Sequence, residues 1–146
     1  MRAIVSRRYG TESLKLEEVP RPVPGDDGVL VKVYASSLNY ATMFLVKGRP
    51  FAIRVGKGGV FKPKHPIPGG EIAGRVEAVG KNVKSLQVGD AVYGDTCSIG
   101  YGALAEYTRA TEAVLSPMPS NLSFSQAAAV PQSALVALQG LRAGAL

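Results

Sequence analysis

The chain has 146 residues, of which 46% are hydrophobic and 19% charged, a composition typical of one globular domain and unlike that of disordered or collagen-like proteins. No apolar run approaches the ~18 to 20 residues of a membrane span, and the N-terminus lacks the apolar core of a signal peptide, so we predict a cytoplasmic protein without membrane association. One Cys and one His exclude an intrachain disulfide and supply too few soft ligands for a typical zinc site, so we predict no metal.

The net charge of +6 is concentrated in one segment. Residues 28–70 contain no carboxylate and seven basic side chains, six of them between positions 47 and 64. This basic segment is either a solvated loop or a loop that attracts the phosphates of a cofactor or an acidic substrate, and both interpretations stay open. A nucleic-acid partner is not predicted, because the grouped aromatic residues of a stacking platform are missing.

Short strands and turns are predicted along the first half of the chain. A β-branched run predicts a strand over 3–5, and alternating apolar residues predict a half-buried strand over 29–38. The period then changes, which predicts a short helix over 39–48. Residues 49–68 are predicted to form a long irregular loop, a feature that in a compact domain is usually functional or mobile.

Further short strands follow. Period-two alternation predicts a strand over 71–80, in which Gly74 is expected where another backbone approaches closely. After a turn, three more strands are predicted, at 91–93, within 102–110 and within 112–119. Strands this short and this regularly separated by turns favour a small barrel or sandwich.

The last segment is predicted to be helical. Ser123 and Gln126 have the spacing of a capping box, which predicts the start of a helix. Pro131 is suited to the first turn of a second helix, whose apolar residues lie nearly all round its axis. Such a helix is expected to pack against partners on several sides.

In this order the motifs resemble the N-terminal catalytic domain of the medium-chain dehydrogenases/reductases, a GroES-like barrel. The runs that carry the resemblance are "VLVKVYASSLNY", "PIPGGEIAGRVEAVGKNVKSLQVGDAVYG", "GALAEYT" and "LSFSQAAAVPQSALVALQGL". The resemblance implies a mainly β, partly open barrel with short helices over 1–120. It also implies a helical arm over 121–146 that would lead into a dinucleotide-binding (Rossmann) domain, whose glycine-rich turn the 146 residues do not contain.

The resemblance is closest to the zinc-free, quinone oxidoreductase-like branch of this superfamily. Zinc-using relatives place Cys where this chain has Asn39 and His where it has Gly70. In zinc-free relatives an Asn at position 39 lies beside the nicotinamide and its ribose; the alternative is an Asn that only ends the strand. Ser133 and Val136 fall where relatives line the nicotinamide pocket, so these three residues are the predicted cofactor-binding set.

Tyr40 and Thr42 are the predicted catalytic candidates. The Tyr40 hydroxyl is able to donate a proton to a reduced substrate, although an aromatic ring at a strand end is more often a core residue. Thr42 stands where relatives often carry Asp, and this departure removes a charge. His65 and Cys97 have no neighbouring motif typical of a general base or a nucleophile.

The resemblance implies an NAD(P)-dependent oxidoreductase that transfers hydride to a quinone or an α,β-unsaturated carbonyl. NADP(H) or NAD(H) would be held mainly by the dinucleotide-binding domain, so the 146 residues alone are expected to be inactive. The alternatives are a zinc-independent alcohol dehydrogenase-like protein and a non-catalytic GroES-like binding or co-chaperone module. The predicted partners are a small carbonyl or quinone substrate and, as an assembly, a homodimer.

Overall fold

The structure, a computed structural model, describes residues 1–144 except for the side chain of Lys57. Its strands are β1 (Arg2–Ser6), β2 (Leu14–Glu18), β3 (Gly28–Ser36), β4 (Glu71–Val79), β5 (Ala91–Asp95), β6 (Tyr107–Thr111) and β7 (Leu115–Pro117). Its α-helices are α1 (Tyr40–Lys47), α2 (Phe51–Ile53), α3 (Phe124–Ala128) and α4 (Pro131–Ala143). Single helical turns of other types occur at Thr11–Ser13, Arg54–Gly58 and Glu112–Val114.

Five strands form one antiparallel sheet in the order β6-β3-β4-β5-β7. Strands β1 and β2 form a separate hairpin, which a bridge between Ala3 and Ala105 connects to the segment before β6. Within residues 1–144 the outer strands β6 and β7 do not pair with each other, so the barrel is partly open. The mainly β, GroES-like fold class predicted from the sequence is confirmed.

The core lies on both faces of the central strands β3 and β4. On one face, Val29 and Val31 pack with Ile72, and all three side chains are fully buried. On the opposite face, Ala73 packs against α3. Because both faces are covered, β4 begins with four consecutive buried residues, and the first of them is the carboxylate-bearing Glu71.

Gly74 is required by the close approach of β3, as the sequence predicts. A Cβ at this position would overlap the backbone carbonyl oxygen of Lys32 and come within 3.0 Å of its carbonyl carbon. The approach occurs beside irregularities in the register of the β3–β4 pair. Backbone atoms of a central strand have little freedom to move away, so a side chain at this position strains the sheet.

The prediction of an irregular loop over 49–68 is wrong for residues 51–58, which form α2 and a π turn. The turns are anchored to the β1–β2 hairpin through Tyr9. Its hydroxyl donates to the Gly59 carbonyl, and the Arg54 guanidinium lies 4.3 Å from the centre of its ring. These contacts join residues about fifty positions apart, so local periodicity carries no sign of them.

Two of the predicted strands are shorter than expected. In the segment 102–110 the strand begins only at Tyr107, and in the segment 112–119 a helical turn precedes the three-residue β7. The capping box of α3 and Pro131 in the first turn of α4 are both confirmed. Ala145 and Leu146, the end of the predicted arm, lie outside the described residues.

Helix α4 presents apolar side chains to its surroundings. Leu135, Val136, Leu138 and Leu141 are each at least two fifths exposed, whereas Pro131 is buried. This exposure agrees with the apolar residues predicted all round the helix. In the part of the chain that the structure describes, no helix combines the length and apolar character needed to cross a membrane.

We predict that Gly74→Ala destabilises the fold by about 2 kcal/mol or more, because its methyl group overlaps backbone rather than a movable side chain. Urea unfolding followed by circular dichroism measures the change. Gly140→Ala is the control, since a Cβ at this α4 position meets nothing within 4 Å and Ala favours a helix. Equal stability of the two variants would contradict the close approach of β3 to Gly74.

Candidate active site

The Glu71 carboxylate is the centre of a hydrogen-bond network between the sheet and the helices. Its side chain is only 1% exposed. Oε2 accepts hydrogen bonds from Ser37 Oγ at 2.5 Å and from Asn39 Nδ2 at 2.7 Å, and Oε1 accepts one from the Gln132 backbone N–H at 2.8 Å. None of the basic side chains that the structure describes forms a salt bridge with it. The carboxylate is therefore satisfied by donors from two segments far apart in sequence.

Asn39 caps α1 and belongs to the same network. Its Oδ1 accepts a hydrogen bond from the Thr42 backbone N–H at 2.9 Å, as expected of an N-cap residue. Its Nδ2 donates both to Glu71 and to Gln132 Oε1. Both hydrogens of the Asn39 amide are thus used within the protein, and only the second lone pair of Oδ1 is left for a ligand.

Gln132 lies in the first turn of α4 and is half-buried. Its backbone N–H contacts Glu71 and its side-chain oxygen accepts from Asn39. The network thereby links the end of β3, the start of β4 and the start of α4. Two hydrogen-bonded residues at its centre, Glu71 and Gln132, were not among the predicted site residues.

Gly70 has no room for a side chain. A Cβ there would overlap Cys97 Sγ and come within 2.8 Å of Asp95 Oδ1. Thr96 holds the Gly70 carbonyl from the same side, through its backbone N–H at 2.8 Å and its hydroxyl at 2.9 Å. The position at which the sequence resemblance implies a His in zinc-using relatives is therefore filled by the loop after β5.

An apolar cavity of about 350 Å³ lies beside this network. Its walls come from α1, from the helical turns after it, from the loop after β5 and from α4: Ala41, Phe44, Leu45, Ala52, Ile53, Gly56, Cys97, Tyr101 and Gln132. The volume lies in the range of small-molecule sites. Apolar walls with few polar groups suit an organic substrate.

Tyr101 is the most unusual residue of the cavity wall. Its φ of 65° lies in the left-handed region, which non-glycine residues seldom adopt. The ring packs against His65, with 5.5 Å between the ring centres. Burial raises the pKa of the Tyr101 hydroxyl, and the nearby Cys97 and Asp95 raise it further. Burial, followed by the charge of Lys64, lowers the pKa of His65.

The two predicted catalytic residues are in different environments. Tyr40 is 82% exposed at the start of α1, so the alternative of a core aromatic ring is wrong. Its ring lies 6.1 Å from that of Phe44, which lines the cavity. Thr42 is buried, and its backbone N–H contacts Asn39. Their catalytic roles stay predictions.

The predicted cofactor-binding residues lie along one side of the network. Asn39 contacts Gln132, and Ser133 follows Gln132 on α4. Val136 is one helical turn further and is exposed, as is Ser133. The structure thus brings the three residues to one end of α4, while their role in binding a cofactor stays a prediction.

The basic segment contributes little to this network. Arg54 stacks on Tyr9 and donates to the Gly48 carbonyl at 2.8 Å, so it has a structural role. Lys62 and Lys64 are exposed, and the Lys57 side chain lies outside the described residues. Within residues 1–144 no group of three or more His, Cys, Asp or Glu residues is arranged to hold a metal ion. The zinc-free site remains a prediction that rests on Asn39 and Gly70.

The alcohol dehydrogenase GroES-like domain family matches residues 25–120, which is more than half of the chain. The chain belongs to this family. The shared region includes β3, α1, β4 and β5, and therefore Asn39, Glu71 and the loop that carries Cys97. The resemblance stated from the sequence motifs is confirmed.

Similar proteins include several oxidoreductases. The chloroplast envelope quinone oxidoreductase homolog of Arabidopsis thaliana is 37% identical over 97% of this chain and 42% of its own length. The 2-methylene-furan-3-one reductase of Solanum lycopersicum is 39% identical over 91% of this chain and 34% of its own length. Among solved structures, Escherichia coli quinone oxidoreductase complexed with NADPH is 26% identical with a TM-score of 0.82, over 97% of this chain and 40% of that one. The chain thus spans about two fifths of the length of these relatives.

We predict that Glu71→Gln costs about 2 kcal/mol of folding free energy. Both carboxylate oxygens accept hydrogen bonds, so in either orientation the NH₂ group of the new amide would face a hydrogen-bond donor. Urea unfolding measures the loss. Glu77→Gln on the same strand is the matched control: its salt bridge to Arg21 is exposed and contributes less than about 1 kcal/mol. If the two variants lost similar amounts of unfolding free energy, the hydrogen bonds of the three donors to the Glu71 carboxylate would not contribute to stability as predicted.

We further predict that Gly70→Ala destabilises the fold by about 2 kcal/mol through its overlap with Cys97 Sγ. Cys97→Ala should recover part of this loss when the two changes are combined. A double-mutant cycle by thermal or urea unfolding is expected to give a coupling of about 1 kcal/mol or more, since the two side chains compete for one space. Strict additivity would show that Gly70 is required for some other reason.

Proposed function

We propose that the chain is the N-terminal catalytic domain, with a barrel at 1–120 and a helical arm at 121–146, of an NAD(P)H-dependent oxidoreductase that reduces a quinone or an α,β-unsaturated carbonyl. The observation that carries the proposal is the apolar cavity beside the amide groups of Asn39 and Gln132. An apolar chamber with a few oriented polar groups suits a cyclic carbonyl compound better than a charged or sugar-like substrate. The similar proteins, a quinone oxidoreductase homolog and a 2-methylene-furan-3-one reductase, support the same class.

The residues of the predicted cofactor-binding set fit one edge of a nicotinamide nucleotide. Asn39 Oδ1 retains a lone pair that can accept from a ribose hydroxyl or a carboxamide N–H, and the exposed Ser133 hydroxyl can do either. Val136 offers apolar surface to the ring. NADPH is the preferred candidate because the similar E. coli enzyme is complexed with it. When bound, the cofactor supplies the hydride.

The chain's own groups would position the substrate and handle its proton. The apolar walls of the cavity would contact the carbon skeleton of the substrate. Tyr40 is exposed and its ring lies beside that of Phe44, a cavity residue, so we propose that its hydroxyl delivers the proton after hydride transfer. Thr42 would act through its backbone N–H, which fixes the Asn39 amide.

The proposed mechanism uses no zinc. An Asn amide is not among the Cys, His and carboxylate ligands that zinc prefers, and Asn39 stands where zinc-using relatives carry Cys. Gly70 supplies no ligand and leaves no room for one. In this proposal charge on the substrate oxygen is stabilised by hydrogen bonding rather than by a metal. A homodimer, a cytoplasmic location and the absence of nucleic-acid binding stay predictions from the sequence.

The test compares the 146-residue chain with a protein in which a dinucleotide-binding domain follows it. We expect the longer protein to bind NADPH, by quenching of cofactor fluorescence, and to oxidise it with a quinone or a cyclic enone, whereas the 146 residues alone are inactive. A folded longer protein that does not bind NADPH would overturn the proposal and favour a non-catalytic binding module. Alcohol oxidation without enone or quinone reduction would favour the zinc-independent alcohol dehydrogenase-like alternative.

A further inference from the structure

We propose that Gln132 Nε2 is the hydrogen-bond donor that binds the carbonyl oxygen of the substrate in the apolar cavity. The inference rests on the proposed function for the identity of the substrate as a carbonyl compound. It adds a residue that the sequence motifs did not indicate. Its basis is the direction of the hydrogen bonds that start at Glu71.

The direction of the Gln132 amide follows from its neighbours. The Thr42 backbone N–H can only donate, so the Asn39 atom that it contacts is Oδ1. The Asn39 atom that contacts Glu71 is therefore Nδ2. The remaining hydrogen of Nδ2 then faces Gln132, so the contacting atom of Gln132 is its oxygen. Gln132 Nε2 is thereby directed away from Asn39.

Gln132 contributes to the cavity wall, together with side chains that are almost all apolar. Within residues 1–144 the structure records no hydrogen-bond acceptor for Gln132 Nε2, whereas Gln132 Oε1 and its backbone N–H are both engaged. A donor held in one orientation beside an apolar chamber is pre-organised for a ligand acceptor. The carbonyl oxygen is the acceptor that a quinone or an enone provides.

The same donor would assist the reaction. The β-carbon of the enone accepts the hydride, the electrons of the carbon–carbon double bond move toward the carbonyl, and negative charge develops on the oxygen. A hydrogen bond from Gln132 Nε2 stabilises this charge. A proton, delivered by Tyr40 in the proposed function, then adds to the α-carbon and the carbonyl is restored. NADPH, when bound, would supply the hydride and thereby be oxidised to NADP⁺.

The experiment titrates the 146-residue chain with cyclohexanone and with methylenecyclohexane, which has the same shape but no oxygen. Nuclear magnetic resonance follows the side-chain NH₂ signals, and the Gln132 pair is the one lost in Gln132→Met. We expect cyclohexanone to shift this pair much more than the NH₂ pair of Gln139, an exposed residue of the same helix. No shift of the Gln132 pair would overturn the proposal.

Affinities separate a hydrogen bond from simple packing. Gln132→Met, which keeps the side-chain length, should weaken cyclohexanone binding about fivefold and leave methylenecyclohexane unchanged. Gln139→Met is the control and should change neither. Equal weakening of both ligands, or of neither, would overturn the proposal.

Activity provides a separate readout. In a protein that carries both this chain and a dinucleotide-binding domain, Gln132→Met is expected to lower kcat about a hundredfold. Because ligand binding is measured without cofactor, the two proposals fail in different ways. If the longer protein without substitution does not oxidise NADPH but cyclohexanone still shifts the Gln132 NH₂ signals, the proposed reaction is rejected and the carbonyl-binding site is retained. An unchanged kcat in Gln132→Met would reject the role of this donor.

Discussion

The buried carboxylate of Glu71 is the constraint on which the site depends. Removing a carboxylate from water costs several kcal/mol when no opposite charge compensates it, and Glu71 has no salt bridge within the described residues. Three hydrogen-bond donors offset this cost, and they come from the segment between β3 and α1 and from the start of α4. The carboxylate therefore stabilises a particular arrangement of two otherwise separate segments. Moving either segment would leave a buried charge without its donors.

The same constraint gives the network a direction. Because Glu71 accepts and does not donate, Asn39 must donate toward it, and Gln132 must then accept from Asn39. Two amide side chains, which could each be turned either way in isolation, are thereby fixed in one orientation. As a result, Asn39 Oδ1 can still accept a hydrogen bond from a ligand, and Gln132 Nε2 can still donate one. One buried carboxylate and two amides thus provide pre-organised hydrogen-bonding groups beside a largely apolar cavity.

Local sequence patterns predicted the parts of the fold that depend on local physics. Alternation along β3 and β4, the capping box before α3 and Pro131 at the start of α4 each reflect forces within a few residues. The turns over 51–58 depend instead on Tyr9, about fifty residues away, and were predicted as irregular. Glu71 was placed correctly in a strand, but its partner Gln132 lies 61 positions further along. A period-two pattern assigns such a residue to a face and carries no information about its partners.

At Gly70 the structure shows why a side chain is missing, which the sequence alone does not. From the sequence, glycine at this position indicates only that the ligand of zinc-using relatives is missing. In the structure the space is occupied by Cys97, while Thr96 holds the Gly70 carbonyl from the same side. Restoring a ligand would therefore require the loop after β5 to move, and that loop also forms the cavity wall through Cys97 and Tyr101. The missing side chain at position 70 and the shape of the cavity are consequences of one packing arrangement, so a single substitution at position 70 could not recreate a metal site without altering the cavity.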